Sequence, residues 1–240
     1  MLVAAALCPC PPLLVPEVAA GAAPELDPLR AACVDAVGVL AAARPDRLVV
    51  LGPVTDEADA GRYPQGAPGS FRGFGVDLDV TLGAAGAQLP ADGRQLPPSL
   101  AVGAWLLSRT AWADAPLEGL GVAERLPLDR CLPRGRELAD SASRVALLVL
   151  GDGSARRSVK APGYLDERAE PFDTAAARAL GAADTGALAA LDADLAADLL
   201  VSGRSCWQVL AGAAEGAGLR GQLLREEAPY GVGYVVAAWS

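Results

Sequence analysis

The sequence contains no histidine among its 240 residues. That absence removes the side chain most used as general base, zinc or iron ligand and triad member. Any catalysis has to run on Cys, Asp, Glu, Tyr, Arg or the single lysine, Lys160. Cations are scarce as well: 20 Lys plus Arg stand against 29 Asp plus Glu, a net charge of −9. A nucleic-acid partner needs clustered positive charge to displace counterions, so none is expected. Long apolar runs are missing too. None reaches the ~18–20 residues of a membrane span. The first apolar run is too short, and too poor in basic flanks, for a secretory signal. No membrane association and a cytoplasmic location are expected. The cysteines, Cys8, Cys10, Cys33, Cys131 and Cys206, are odd in number and irregular in spacing. A disulfide framework is not expected from them.

What the chain does have is apolar residues, at 52%, many of them alanine. Its length suits one domain spanning 1–240. Leu2 to Leu7 reads as a buried strand, stopped by Pro9, Pro11 and Pro12, which fix φ and lack a donor. Pro24 to Ala43 reads as a helix, with Leu26, Leu29, Cys33, Val37 and Leu40 on one face. Arg47 to Gly52 is the next buried strand, and strand–helix–strand predicts a parallel βαβ unit. Residues 53–75 read as a long loop and Val76 to Leu82 as an alternating strand. A helix from Pro97-Pro98 to Arg109, a strand from Leu117 to Val122 and a short helix from Pro133 to Asp140 follow. Val145 to Leu150 is a buried strand. Asp173 is expected as the N-cap of another helix. Leu188, Leu191, Leu195 and Leu199 predict a helix with one apolar stripe. Arg204 to Glu215 predicts one more, burying Trp207. Leu219 to Arg225 and Gly231 to Trp239 are expected to close the sheet. The fold class is α/β.

Three stretches carry candidate chemistry. Cys8-Pro9-Cys10 sits in a stiff loop just past a strand end, where α/β proteins place ligand sites. It is either a reactive or ligand-binding thiol pair, or two small residues packed beside prolines. Gly151-Asp152-Gly153-Ser154 follows another strand, without the spacing of a P-loop or a nucleophile elbow. It reads as an ordinary turn or as a ligand loop presenting Asp152 or Ser154. Arg156, Arg157 and Lys160 form the one basic cluster, either an anion site or a solvated loop.

Taken in order, these segments resemble the class III extradiol ring-cleavage dioxygenases in their catalytic subunit, a superfamily that includes Memo-like proteins. Ala5 through Glu17 is similar to that family's strand followed by P-H-P-P and an aliphatic-P-E run. Arg44-Pro45-Asp46-Arg47 resembles its K-P-D strand start, and Gly151-Asp152-Gly153-Ser154 its G-D-L-S-H. Ala161-Pro162-Gly163-Tyr164, Glu170-Pro171-Phe172-Asp173, Gly203-Arg204-Ser205 and Pro229 to Tyr234 follow in the family's order. The resemblance implies a single three-layer α/β/α domain with a mostly parallel central sheet.

It also implies where chemistry would stand. The family holds a divalent metal with two histidines and a carboxylate, and a further histidine serves as acid/base. By resemblance these four positions fall at Cys10, near Pro53, near Leu200 and at Ala155. None carries the family's residue. The leading expectation is a non-catalytic, metal-free homologue without cofactor, keeping the cleft for a small molecule or a protein partner. Cys10, Pro11, Gly52, Pro53, Asp152, Ser154, Ala155 and Arg204 are the expected cleft residues. The alternatives are an enzyme with relocated chemistry, using Cys10 with Asp152 and Arg204, and a scaffold or homodimer binding through its surface.

Overall fold

The computed structural model describes residues 1–83, 93–110 and 112–240. The chain opens with β1 (Leu2–Cys8), the short helix α1 (Pro16–Ala19) and α2 (Asp27–Ala42). Next come β2 (Arg47–Val54), β3 (Gly61–Pro64), β4 (Pro68–Ser70), β5 (Asp79–Thr81) and α3 (Pro98–Arg109). The middle holds β6 (Leu117–Ala123), α4 (Leu128–Ala139), β7 (Val145–Leu150) and α5 (Ala169–Ala182). It closes with α6 (Thr185–Ala189), α7 (Ala193–Asp198), α8 (Arg204–Ala214), β8 (Gly221–Glu227) and β9 (Tyr234–Trp239).

Seven strands form one mixed sheet, in the order β3-β6-β2-β7-β1-β9-β8. The four central strands, β6, β2, β7 and β1, are mutually parallel, and β3 and β9 join them antiparallel. The fold is therefore α/β, and strands from both ends of the chain share its sheet. All six residues of β7 are buried, as expected of a strand covered on both faces. Alternate side chains enter two cores. Ala4, Ala6, Val50 and Leu148 pack with Leu29, Cys33 and Val37 of α2 and Trp105 of α3. Ala5, Leu7, Val49 and Leu147 pack with Cys131 of α4, Phe172 of α5 and Trp207 of α8. Among the described residues, no helix is long and apolar enough to cross a membrane.

Several expectations are corrected. Residues 53–75 are not one loop. β2 continues through Pro53 to Val54, and β3 pairs antiparallel with β6. Pro53 is tolerated because β2 pairs with β7 only as far as Leu51, so its missing N–H faces no ladder partner. Of the alternating 76–82 stretch only Asp79–Thr81 is strand, paired with β4 in a separate two-stranded sheet. The first long helix begins at Asp27, because Ala20–Leu26 forms 3-10 turns with Pro24 inside. The helix expected from Pro133 begins at Leu128, five residues earlier, with Pro133 within its length. The leucine stripe at 188–199 is two helices. Asp184 and Asp192 each cap a new N-terminus, on Ala187 N–H and on Asp194 and Leu195 N–H. Asp173 is no cap; it lies buried inside α5.

Candidate ligand-binding site at the carboxyl edge of the sheet

The four parallel strands end along one edge of the sheet, at Cys8, Val54, Ala123 and Leu150. Just past Leu150 the chain makes a dense set of backbone contacts. Gly151 N–H donates to Cys8 O at 3.1 Å, and Gly203 N–H donates to Asp152 O at 3.0 Å. Asp152 N–H donates to Ser202 Oγ at 3.0 Å. Gly153 N–H donates to Gly233 O at 2.7 Å, and Gly233 N–H returns to Ser154 O at 2.9 Å. Ala155 N–H donates to Leu199 O at 3.0 Å. Residues 151–155 thus tie the exit of β1, the start of α8 and the approach to β9 together. Gly151 is required here, because a Cβ on it would overlap Gly203 Cα.

Asp152 is half-buried and accepts a hydrogen bond from the Cys10 backbone N–H at 2.8 Å. Burial pushes its carboxyl up to about 7; the Cys10 N–H opposes this and the Glu124 carboxylate adds to it. The Cys10 side chain is 7% exposed. Burial first, then the Asp152 carboxylate, pushes its thiol well above the ordinary range. A nucleophilic cysteine needs the reverse setting, an accessible thiol beside positive charge. Tyr234, at the start of β9, is raised by burial and then by Asp152.

Ser154 is fully buried. Its N–H and its hydroxyl donate to the two oxygens of Asp173, at 2.8 and 2.7 Å, and Arg157 donates to Asp173 at 3.2 Å. Burial raises the Asp173 carboxyl, and these donors oppose the rise. Ser154 therefore supports the loop and presents nothing to a ligand. Of the basic cluster, Arg157 belongs to this buried network and Arg156 donates to Gly163 O at 2.5 Å, whereas Lys160 is exposed. Gly52 and Pro53 are buried beneath α3, where Ser99 Oγ donates to Pro53 O at 2.7 Å. A Cβ at Gly52 would crowd Ser99 and Leu100. Pro11 is buried and leads into a 3-10 turn over Pro12–Leu14.

Arg204, the first residue of α8, is 3% exposed. It is not a partner for Cys10. Its Nη1 donates to Leu126 O at 2.5 Å and to Gln208 Oε1 at 3.0 Å, and its Nη2 donates to Glu124 O at 2.6 Å. Gln208 in turn donates to Leu191 O at 3.1 Å. The guanidinium therefore clamps the chain on both sides of Arg125, just after β6.

That clamped corner faces a cavity of about 400 Å³. Thr55, Glu124, Arg125, Ser202 and Arg204 supply its polar lining, and residues of α7 with Leu200 and Val201 its apolar lining. Thr55 Oγ1 donates to Glu124 Oε1 at 3.1 Å, orienting that carboxylate. Of the expected cleft residues, Arg204 lines this cavity, and Asp152 touches its wall through Ser202. Thr55, Glu124 and Ser202 are not identifiable as site residues from sequence patterns. Their one signal is position, since Thr55 and Glu124 each follow a strand directly. A metal centre does not fit these donors: among the described residues, no group of three or more Cys, Asp or Glu is placed to hold an ion.

No protein-family model matches the chain, and no curated protein matches it in sequence. In three dimensions it is similar to an uncharacterized protein, JW3007, from Escherichia coli K12, whose crystal structure is known. The two align over 99% of each chain with a TM-score of 0.58 and 15% identity, a likeness of fold alone.

Proposed function

We propose that this chain is a metal-free, non-catalytic relative of the class III extradiol dioxygenases that binds a small molecule at the carboxyl edge of its sheet. The observation that carries the reading is the corner at Glu124 and Arg125. A buried arginine fixes it on both sides, and it lines a cavity within the usual size of ligand pockets. Two cores, one on either side of the sheet, support the finer reading of a three-layer α/β/α domain like that of the dioxygenase catalytic chain. Cys10, Pro53, Ala155 and Leu200, which stand where the resemblance puts the family's chemistry, bring one thiol and no carboxylate. A cytoplasmic location, no nucleic-acid partner and a possible homodimer belong to the same reading.

The test is metal analysis and catechol turnover on the purified chain, with a ligand screen by thermal shift. The expected result is no stoichiometric iron or zinc, no ring cleavage, and stabilisation by at least one small molecule. Stoichiometric metal tied to catechol turnover would overturn it.

A second reading, an enzyme with relocated chemistry, is favoured by one observation. Asp152 titrates near neutrality at a strand end, the range a general acid or base needs. In that reading Asp152, and not the buried Cys10, moves the proton. A turnover found in substrate screening and lost in Asp152→Asn would establish it.

A further inference from the structure

Resting on the reading of the cavity as a small-molecule site, we infer that its ligand is a small zwitterion of amino-acid type. The ammonium would lie against Glu124, the carboxylate against Arg125 and Ser202, and an apolar side chain against α7.

The lining offers groups of opposite character. Glu124 and Arg125 are adjacent residues of opposite charge in one cavity wall. Glu124 is the acceptor. Thr55 donates to its Oε1 and fixes its orientation, leaving Oε2 for a ligand donor. Ser202 and Arg125 are the donors. The Ser202 oxygen already accepts Asp152 N–H, so its own proton remains to be given outward. Among the described residues Arg125 and Arg204 form no ion pair.

Arg204 is a positioning residue in this scheme. It keeps the carbonyls of Glu124 and Leu126 in place, so the Glu124 and Arg125 side chains project from a fixed backbone. Its Nε is buried without a hydrogen-bond partner. It also stands at the N-terminus of the eleven-residue helix α8, whose cap residue Gly203 brings no side chain. Both features add positive potential to the cavity lining. A ligand with an anion alone would face Glu124 unpaired, and one with a cation alone would face the arginines. A molecule carrying both charges satisfies both. The apolar wall of Ala193, Ala196, Ala197 and Leu200 leaves room for a modest aliphatic or aromatic side chain.

Calorimetric titration of the full chain at neutral pH tests this with L-leucine and L-phenylalanine as probes. The comparison ligands are their deamino acids, their 2-hydroxy acids and their decarboxylated amines. The expected result is saturable binding of a zwitterion, weakened about tenfold or more in each analogue that lacks one charge. Glu124→Gln and Arg125→Gln should each weaken it by a similar factor, and Thr55→Val by less. Both charged positions lie at the surface corner, and an unchanged melting curve would show that the variants fold. Equal binding of the amino acid and its deamino acid would overturn the inference. So would binding of neither amino acid in a protein whose cavity takes up another small molecule. That last outcome leaves the small-molecule reading standing, whereas a cavity that accepts nothing in the wider screen removes both.

Discussion

The Asp152 carboxylate accepts the backbone N–H of Cys10 at 2.8 Å, joining the exits of β7 and β1 side by side. Its consequence is a pH dependence of stability. The carboxyl is raised to about 7 in the fold, against about 3.9 in an unfolded chain. The folded state therefore holds the proton more tightly between these values. This contribution is complete below about pH 4, declines as pH rises, and is gone above about 7. The expected slope is at most about 1.4 kcal/mol per pH unit. In Asp152→Asn the slope should flatten, with the buried Asp173 carboxyl, also raised, keeping its share, and the variant should gain stability relative to the parent at pH 8. Urea unfolding between pH 4 and 8 measures both. An unchanged slope in the variant would show that Asp152 is not the titrating group.

Gly151 should tolerate no side chain. A Cβ there meets Gly203 backbone, which cannot swing aside as a flexible side chain would. Gly151→Ala is expected to cost about 3 kcal/mol, the upper end of ordinary overpacking. Chemical denaturation reads the loss directly. A cost under about 0.5 kcal/mol would mean that the strand end and α8 are not in contact in solution.

Removing the Ser154 hydroxyl should destabilise without touching ligand binding. Ser154→Ala deletes the 2.7 Å bond to Asp173, whose carboxylate is 3% exposed. The expected cost is about 1–3 kcal/mol, typical of a buried polar group left short of a partner. Equal ligand affinity in the variant would separate this network from the cavity.

Cys10 should be inert in the folded protein. Its burial and the nearby carboxylate disfavour the thiolate. Alkylation followed by peptide mass spectrometry should label it at least about a hundredfold more slowly in the native chain than in urea. Rapid native labelling that a bound ligand blocks would instead revive a nucleophilic role.

The strands and helices that pack both faces of the sheet are legible in the sequence because side-chain periodicity determines them. β7 is six consecutive aliphatic residues, and α2 repeats Leu29, Cys33, Val37 and Leu40 at helical steps. β3 and β4 are not legible, since each is short and bounded or interrupted by glycine and proline, leaving no alternation to read. The capping aspartates 184 and 192 are visible, but the leucine stripe conceals the break they make. Within the site, loop positions can be read and roles cannot. Asp152 and Arg204 stand out by position, yet besides Gln208 the partners of Arg204 are two carbonyls distant in sequence, which no residue type announces. Ser154 resembles a ligand group in the sequence because its partner, Asp173, resembles a helix cap.

The bonds around residues 151–155 also bear on how the molecule opens. Their partners lie at Cys8, Asp173, Leu199, Ser202, Gly203 and Gly233, separated from them by up to about 140 positions of chain. No local fraying frees these amides, because their partners lie on several distant segments. Their hydrogen exchange should therefore follow the global unfolding free energy, while the amides of α6 and α7 exchange through smaller openings. Contacts of such long range also slow folding, because loop closure has to precede them. The carboxyl edge, where a ligand would sit, then opens only when the domain as a whole does.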